Sequence, residues 1–130
     1  MDPMNPIVCD DGTMTKDSAL YKWNQLLIEG TEKMGRSMCK AAGHKQRLID
    51  AGFVNVTEQL YKFPTNAWPR DKKYKNIGTW NCDNMLEAIP SMTLMIFTNF
   101  LGFTAAEVEL LLVDVRKDMR NRNIHAYWTM

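Results

Sequence analysis

The apolar positions of this chain change period several times, and each change predicts an element. Leu20, Trp23, Leu27, Thr31 and Met34 recur at three-and-four spacing and predict a helix with one buried face. Asp17 stands where an N-cap would open it, near Ser18, and Gly35 where it would close. A second helix is predicted from about Ser37 to Ala51, with Met38, Ala41, Ala42, Leu48 and Ile49 inward and Gly52 as a left-handed C-terminal residue. The period then drops to two. Val54, Val56 and Leu60 alternate with Phe53, Thr57 and Tyr61, which predicts a strand over Phe53 to Tyr61. After a proline corner, Pro64 to Pro69, a helical pattern runs from about Asp71 to Leu101. Pro90 is expected to interrupt or kink it, since proline removes a backbone donor and crowds the preceding turn. Residues 89–103 are apolar nearly all round, which suits a central buried helix or an oligomer interface. Thr104-Ala-Ala-Glu107 forms a capping box and opens a last helix with Val108, Leu111, Leu112, Val115 and Met119 inward. Arg116, Lys117, Arg120 and Arg122 cluster at its end, where the helix dipole favours cations.

The expected architecture is one domain, α+β and mainly helical, with one short sheet. An extended lead-in (1–14, with Pro3 and Pro6 against helix and a turn at Asp11-Gly12) precedes a helix-helix-strand unit (15–63). Helices and a short C-terminal strand within His125–Met130 complete it (64–130). A lone strand leaves backbone groups unpaired, so its partner is expected at the start or end of this chain or in another copy.

Composition narrows the function without naming it. With 16 basic and 15 acidic residues in 130, net charge is +1, which exerts no global pull on nucleic acid or membranes. No apolar run is long enough to cross a bilayer, and the N-terminus lacks the basic-then-apolar pattern of a signal peptide. Cys9, Cys39 and Cys82 are odd in number and far apart, which suits a reducing, cytoplasmic setting better than a disulfide framework. His44 and His125 show no metal-ligand spacing, so no metal site is expected. His44 reads as a solvent-facing helix residue, and His125 as one that satisfies a helix end. Cys82 beside Asp83 reads as a small buried hydrophobe before it reads as a nucleophile. Asp71, Lys72, Lys73 and Lys75 read as a solvated turn, and Asp83 with Glu87 as exposed decoration.

The ordered segments GRSM, LIDAGFVNV, WPRDKKYKNIG and LGFTAAEVELLLVDVRKDMRNRNIHAY cover nearly the whole chain from Asp10 onward. In that order they resemble the C-terminal half of fungal class I methyltransferases of the LaeA-like group. The resemblance implies a late strand of a Rossmann-like sheet at AGFVNV and the start of a helical lid over substrate at WPRDKKYKNIG. It implies the last helix and final strand at LGFTAAEV to IHAY. The family binds S-adenosylmethionine through a glycine-rich loop, and here no two of the seven glycines lie closer than Gly30 and Gly35. The expectation is therefore a truncated remnant of a Rossmann-like methyltransferase without its cofactor half and with no cofactor. A chain beginning at its own Met1 suits a natural short gene and a designed start codon equally.

Methyltransferase-like fungal proteins have become pericyclases and cyclases, and the resemblance makes that a leading expectation. The aromatic and Met residues of the lid-like segment would form an apolar pocket for a small molecule: Trp68, Met85, Met92, Met95 and Phe97, with Asn99. Tyr74, Trp80, Asn76 and Lys73 would polarise a carbonyl of the bound substrate. A homodimer is expected, because apolar surface left by a missing sheet needs cover. The alternatives are a non-catalytic binding or regulatory subunit and one part of a split methyltransferase.

Overall fold

A computed structural model describes residues 6–130, so Pro3 and the rest of the first five residues lie outside the described residues. The elements in chain order are β1 (Val8–Cys9), α1 (Ala19–Lys33), a 3₁₀ turn (Met38–Gly43), α2 (His44–Asp50), β2 (Lys62–Pro64), α3 (Lys72–Phe100), α4 (Ala105–Arg120) and β3 (Ala126–Thr129). The fold is α+β and predominantly helical. Its three strands form one antiparallel sheet in the order β1-β3-β2, so the C-terminal strand is the central one. The lead-in therefore contributes a strand, pairing Val8 with Tyr127, and the partners of β3 are the start and the middle of the same chain.

Helix ends follow the local chemistry of the chain. Ser18, not Asp17, caps α1, its hydroxyl accepting from Tyr21 N–H at 3.3 Å. Asp118 on α4 adds a tertiary cap by accepting from Leu20 N–H at 3.1 Å. Gly35 takes φ +77°, and Arg36 N–H returns to Thr31 C=O, closing α1 with a left-handed turn. Asp71 caps α3 through Tyr74 N–H, and both halves of the Thr104–Glu107 capping box are present on α4.

The core lies between α1, α3 and α4, with the sheet closing one end. Leu20, Trp23 and Leu27 of α1 meet Ile89, Ile96 and Phe97 of α3 and Val108, Leu112, Val115 and Met119 of α4. Trp128 and Ala126 enter from β3. At the α1–α3 crossing Gly30 leaves no room for a side chain: a Cβ there would stand 2.3 Å from Ile96 Cγ2.

Three expectations are corrected. The strand predicted over Phe53 to Tyr61 is irregular and exposed, and β2 begins only at Lys62. Its last rung with β3 is Tyr61–Met130, and no strand lies alongside the residues before it among those described. Second, the stretch from Ser37 onward is a 3₁₀ turn followed by seven α residues. Leu48 and Ile49 stay exposed because α2 packs on no element besides the 3₁₀ turn. Third, Pro90 does not interrupt the helical pattern: α3 is one helix of 29 residues that runs through it. The proline removes one backbone hydrogen bond, but Ile89, Thr93, Ile96 and Phe97 are buried on both sides of it, and that packing holds the helix together.

Candidate functional site

A cavity of about 810 Å³ opens between α1, α3 and the sheet. Its floor comes from α1 (Trp23, Asn24, Leu27, Ile28) and from the sheet (Phe63, Trp128). Its wall is two neighbouring rows on α3, Asn76, Trp80, Asn84, Ala88 and Met92 in one and Ile77, Asn81 and Met85 in the other, each residue four positions and so about one turn beyond the last. Met38 and Cys39 of the 3₁₀ turn and Met130 complete the rim. The volume suits a small organic molecule. The lining contains no Asp, Glu, His, Lys or Arg, so the cavity carries no fixed side-chain charge.

Its polar groups divide into two sets. Some are already committed to the fold: Asn24 Oδ1 accepts from Ile7 N–H at 3.0 Å, Asn81 Nδ2 donates to Pro64 C=O at 2.9 Å, and Trp23 Nε1 donates to Thr93 Oγ1 at 2.9 Å. Asn76, Trp80 and Asn84 stand four residues apart and are exposed at the mouth, with Trp80 at 76%. They are the groups placed to meet a ligand.

The residues named from sequence separate accordingly. Asn76, Trp80, Met85 and Met92 line the cavity. Trp68 does not. Its ring packs on His125 at 4.9 Å between centroids and its Nε1 donates to Ala126 C=O at 2.9 Å, so it braces the proline corner against β3. Phe97 is fully buried on the opposite face of α3 against Phe103, because residues 92 and 97 differ by about half a turn. Met95 and Asn99 are exposed away from the mouth. Tyr74 and Lys73 lie on the outer surface of the first turns of α3, Lys73 Nζ standing 5.9 Å from the Tyr74 ring. The sequence reading missed Trp23, Leu27, Asn84 and Trp128. Periodicity marks Trp23 and Leu27 as core, nothing in the sequence singles out Asn84 or Trp128, and only the sheet and α1 meeting α3 turns the four into cavity lining. Cys82 is buried, and desolvation pushes its thiol up from the ordinary value, the behaviour of a packed hydrophobe rather than a nucleophile.

The proline corner is fixed by hydrogen bonds. Ala126 C=O accepts from Thr65 N–H, Thr65 Oγ1 and Trp68 Nε1. Asn66 Nδ2 donates to Met119 and Asn121 C=O at the end of α4, leaving its own buried Oδ1 without a protein partner. These contacts set the angle between α3 and the sheet, and so the width of the cavity.

A second polar cluster lies at the far end of the sheet. Asp11 accepts from Thr13 Oγ1 at 2.7 Å and from Thr13 N–H at 3.1 Å, and contacts His125 Nδ1. The His125 hydrogen bond, then those of Thr13, hold the Asp11 carboxyl well below the usual carboxylate range. A lowered folded value means that the stabilisation is complete above about pH 4 and is lost as pH falls below it. Asp11→Asn is therefore expected to flatten the acid limb of a melting-temperature profile taken from about pH 5 down to about pH 2.5. An unchanged acid limb would assign that limb to other carboxylates.

Comparison with known proteins gives the class. The chain is 35% identical over 95% of its length to a probable methyltransferase, tdiE, of Emericella nidulans, covering 39% of that relative. It is 33% identical over 95% of its length to the methyltransferase pytC of Aspergillus terreus, covering 38% of it. It is 33% identical over 92% of its length to the secondary metabolism regulator LAE1 of Cochliobolus heterostrophus, covering 39%. No family model and no solved structure matches the chain. The chain is thus a homologue of part of the fungal methyltransferases and LaeA-type regulators of secondary metabolism, and it spans about two-fifths of the length of the curated relatives it matches.

Methyltransferase relatives imply a methyl donor, S-adenosylmethionine, with a sulfonium cation and ribose hydroxyls. The cavity does not fit that group. Its lining holds no acidic side chain to meet the cation or the hydroxyls, and no glycine at which a backbone turn would cradle it.

Proposed function

We propose that this methyltransferase-like chain binds a neutral, apolar small molecule of secondary metabolism in the α3 cavity and promotes its cyclisation without a cofactor. The observation that carries the reading is the lining itself: large, aromatic and Met-rich, without a charged side chain, and with the exposed amides of Asn76 and Asn84 at the mouth. Acid–base chemistry needs a titratable group positioned on substrate, and Cys39 at the rim is the one titratable side chain in the lining. Templated ring closure needs none. In a pericyclic closure π electrons of the substrate become the new σ bonds, with no atom gained or lost, and the protein lowers the barrier by holding the reacting ends together. Trp80 would stack on the flat part of the substrate. Asn76 or Asn84 would donate to a substrate carbonyl and stabilise charge gathering on its oxygen.

A second reading has its own support. The chain covers about two-fifths of proteins named as methyltransferases, so the same cavity would form the substrate side of a methyltransferase whose donor site lies in other polypeptide. The two readings share the pocket and differ in the donor.

The test is binding of Nile red, a neutral flat fluorophore, followed by fluorescence and repeated with S-adenosylmethionine present. Trp80→Ala is expected to weaken Nile red binding about tenfold, the loss of one well-packed aromatic anchor, while leaving the melting temperature within a degree or two, because the side chain is mostly exposed. Equal binding by the variant would refute the pocket assignment. Tighter binding with S-adenosylmethionine present would favour the second reading over the first.

A further inference from the structure

The segment from Phe53 to Tyr61 has the composition of a strand and the environment of a loop. Its backbone N–H groups from Val54 to Leu60 find no protein partner among the described residues. Its large side chains are bare: Phe53 is 62% exposed, Val54 83% and Leu60 62%. It also runs directly into β2 and shares its last rung, since Tyr61 and Met130 exchange both backbone hydrogen bonds at 2.7 and 2.8 Å. Tyr61 and Thr65 bond toward β3, so the even-numbered residues turn their N–H and C=O groups to the other edge. At Pro64 that edge is covered by the Asn81 amide. At Lys62 it is open, and the irregular residues before it carry no neighbouring strand among the described residues.

We propose that this open edge pairs with the same edge of a second copy of the chain, antiparallel, about a two-fold axis through Thr57. The register follows from the sequence. Centred on Thr57, Val54 faces Leu60, Phe53 faces Tyr61 and Asn55 faces Gln59. Aliphatic meets aliphatic, aromatic meets aromatic and amide meets amide, the pairings that stabilise adjacent strands. The one acidic residue, Glu58, faces Val56 and not its own symmetry mate. The same register hydrogen-bonds even-numbered residues to even-numbered residues once the segment is extended, continuing the alternation that Lys62 and Pro64 set in β2. A one-residue shift of the axis to Glu58 would place two carboxylates opposite each other.

Pairing across this edge would join two three-stranded sheets into one, the usual isologous outcome for an exposed edge. Asn55, at φ +56°, is the one non-glycine residue with positive φ among the described residues and has to become extended. Leu48 and Ile49 sit beside the start of the segment, where Phe53 N–H bonds Leu48 C=O, and their exposed side chains would add apolar contact at both ends.

The experiment is sedimentation equilibrium on the whole chain at micromolar concentration. The wild-type protein is expected at twice its monomer mass. Glu58→Pro removes one of the edge donors and is expected to give monomer with an unchanged far-UV circular dichroism spectrum. Val54→Lys with Leu60→Lys places like charges at both facing pairs, and its dissociation constant is expected to rise at least about tenfold. Val54→Lys with Leu60→Glu places opposite charges at the same pairs and is expected to restore the dimer. A monomeric wild-type chain overturns the proposal and leaves the edge to a strand of another protein. A dimer that persists equally in all three variants overturns it too, by placing the interface elsewhere.

Discussion

Trp23→Ala is expected to cost about 3–5 kcal/mol of folding stability, the range for deleting a large buried aromatic side chain. Trp23 is fully buried where α1, α3 and the sheet converge. Its indole fills the floor of the cavity, and its Nε1 donates to Thr93 Oγ1, itself fully buried. Truncation removes the packing and leaves the Thr93 hydroxyl without its donor. A domain of this size has a net stability of about 5–15 kcal/mol, so the variant loses a large share of it. Urea unfolding measures the loss directly. Trp23→Phe keeps most of the bulk and removes only the hydrogen bond, so it is expected to lose about 1–3 kcal/mol. Equal losses for the two variants would mean that the hydrogen bond, and not the packing, holds this corner.

Gly78→Ala is expected to destabilise by about 2–3 kcal/mol, as an overpacked site with no soft neighbour. This runs against helix propensity, which favours alanine over glycine inside a helix by about 1 kcal/mol. Gly78 faces the proline corner, and a Cβ there would stand 2.0 Å from the Asn66 carbonyl oxygen and 2.7 Å from its carbon. Those are backbone atoms, and Asn66 is anchored by its two hydrogen bonds to the end of α4. Neither side can give without moving α3 off the sheet. Because that angle sets the width of the cavity, Nile red binding is expected to weaken in step with stability. A variant as stable as the wild type would show that the corner can move, and the account of how the cavity is held open would fail with it.

Much of this protein is legible in its sequence, for reasons local to the chain. The helix of α1, the Asp71 start of α3, the capping box of α4 and the left-handed glycines Gly35 and Gly52 depend on contacts within a few residues. Three-and-four spacing is enough to identify the buried faces of α1 and α4. The ordered segments from GRSM to IHAY are likewise enough to point to the methyltransferase-like ancestry that the relatives bear out. The cavity was half visible: Asn76, Trp80, Met85 and Met92 lie on the lid-like stretch that the aromatic and Met content picks out.

What only the tertiary structure decided is which face of each element meets which neighbour. Phe97 and Met92 read alike in sequence, but the angle of α3 between α1, α4 and the sheet sends one to the core and the other to the cavity. Trp68 reads as a pocket residue and serves as a brace, because Ala126 C=O happens to lie within reach of its indole. Pro90 reads as an interruption or a kink, and the helix runs on through it because buried contacts on both sides outweigh one missing hydrogen bond. The segment from Phe53 to Tyr61 has every local mark of a strand. A strand, however, is completed by hydrogen bonds to a neighbour that its own sequence does not contain, whereas a helix closes its hydrogen bonds within itself.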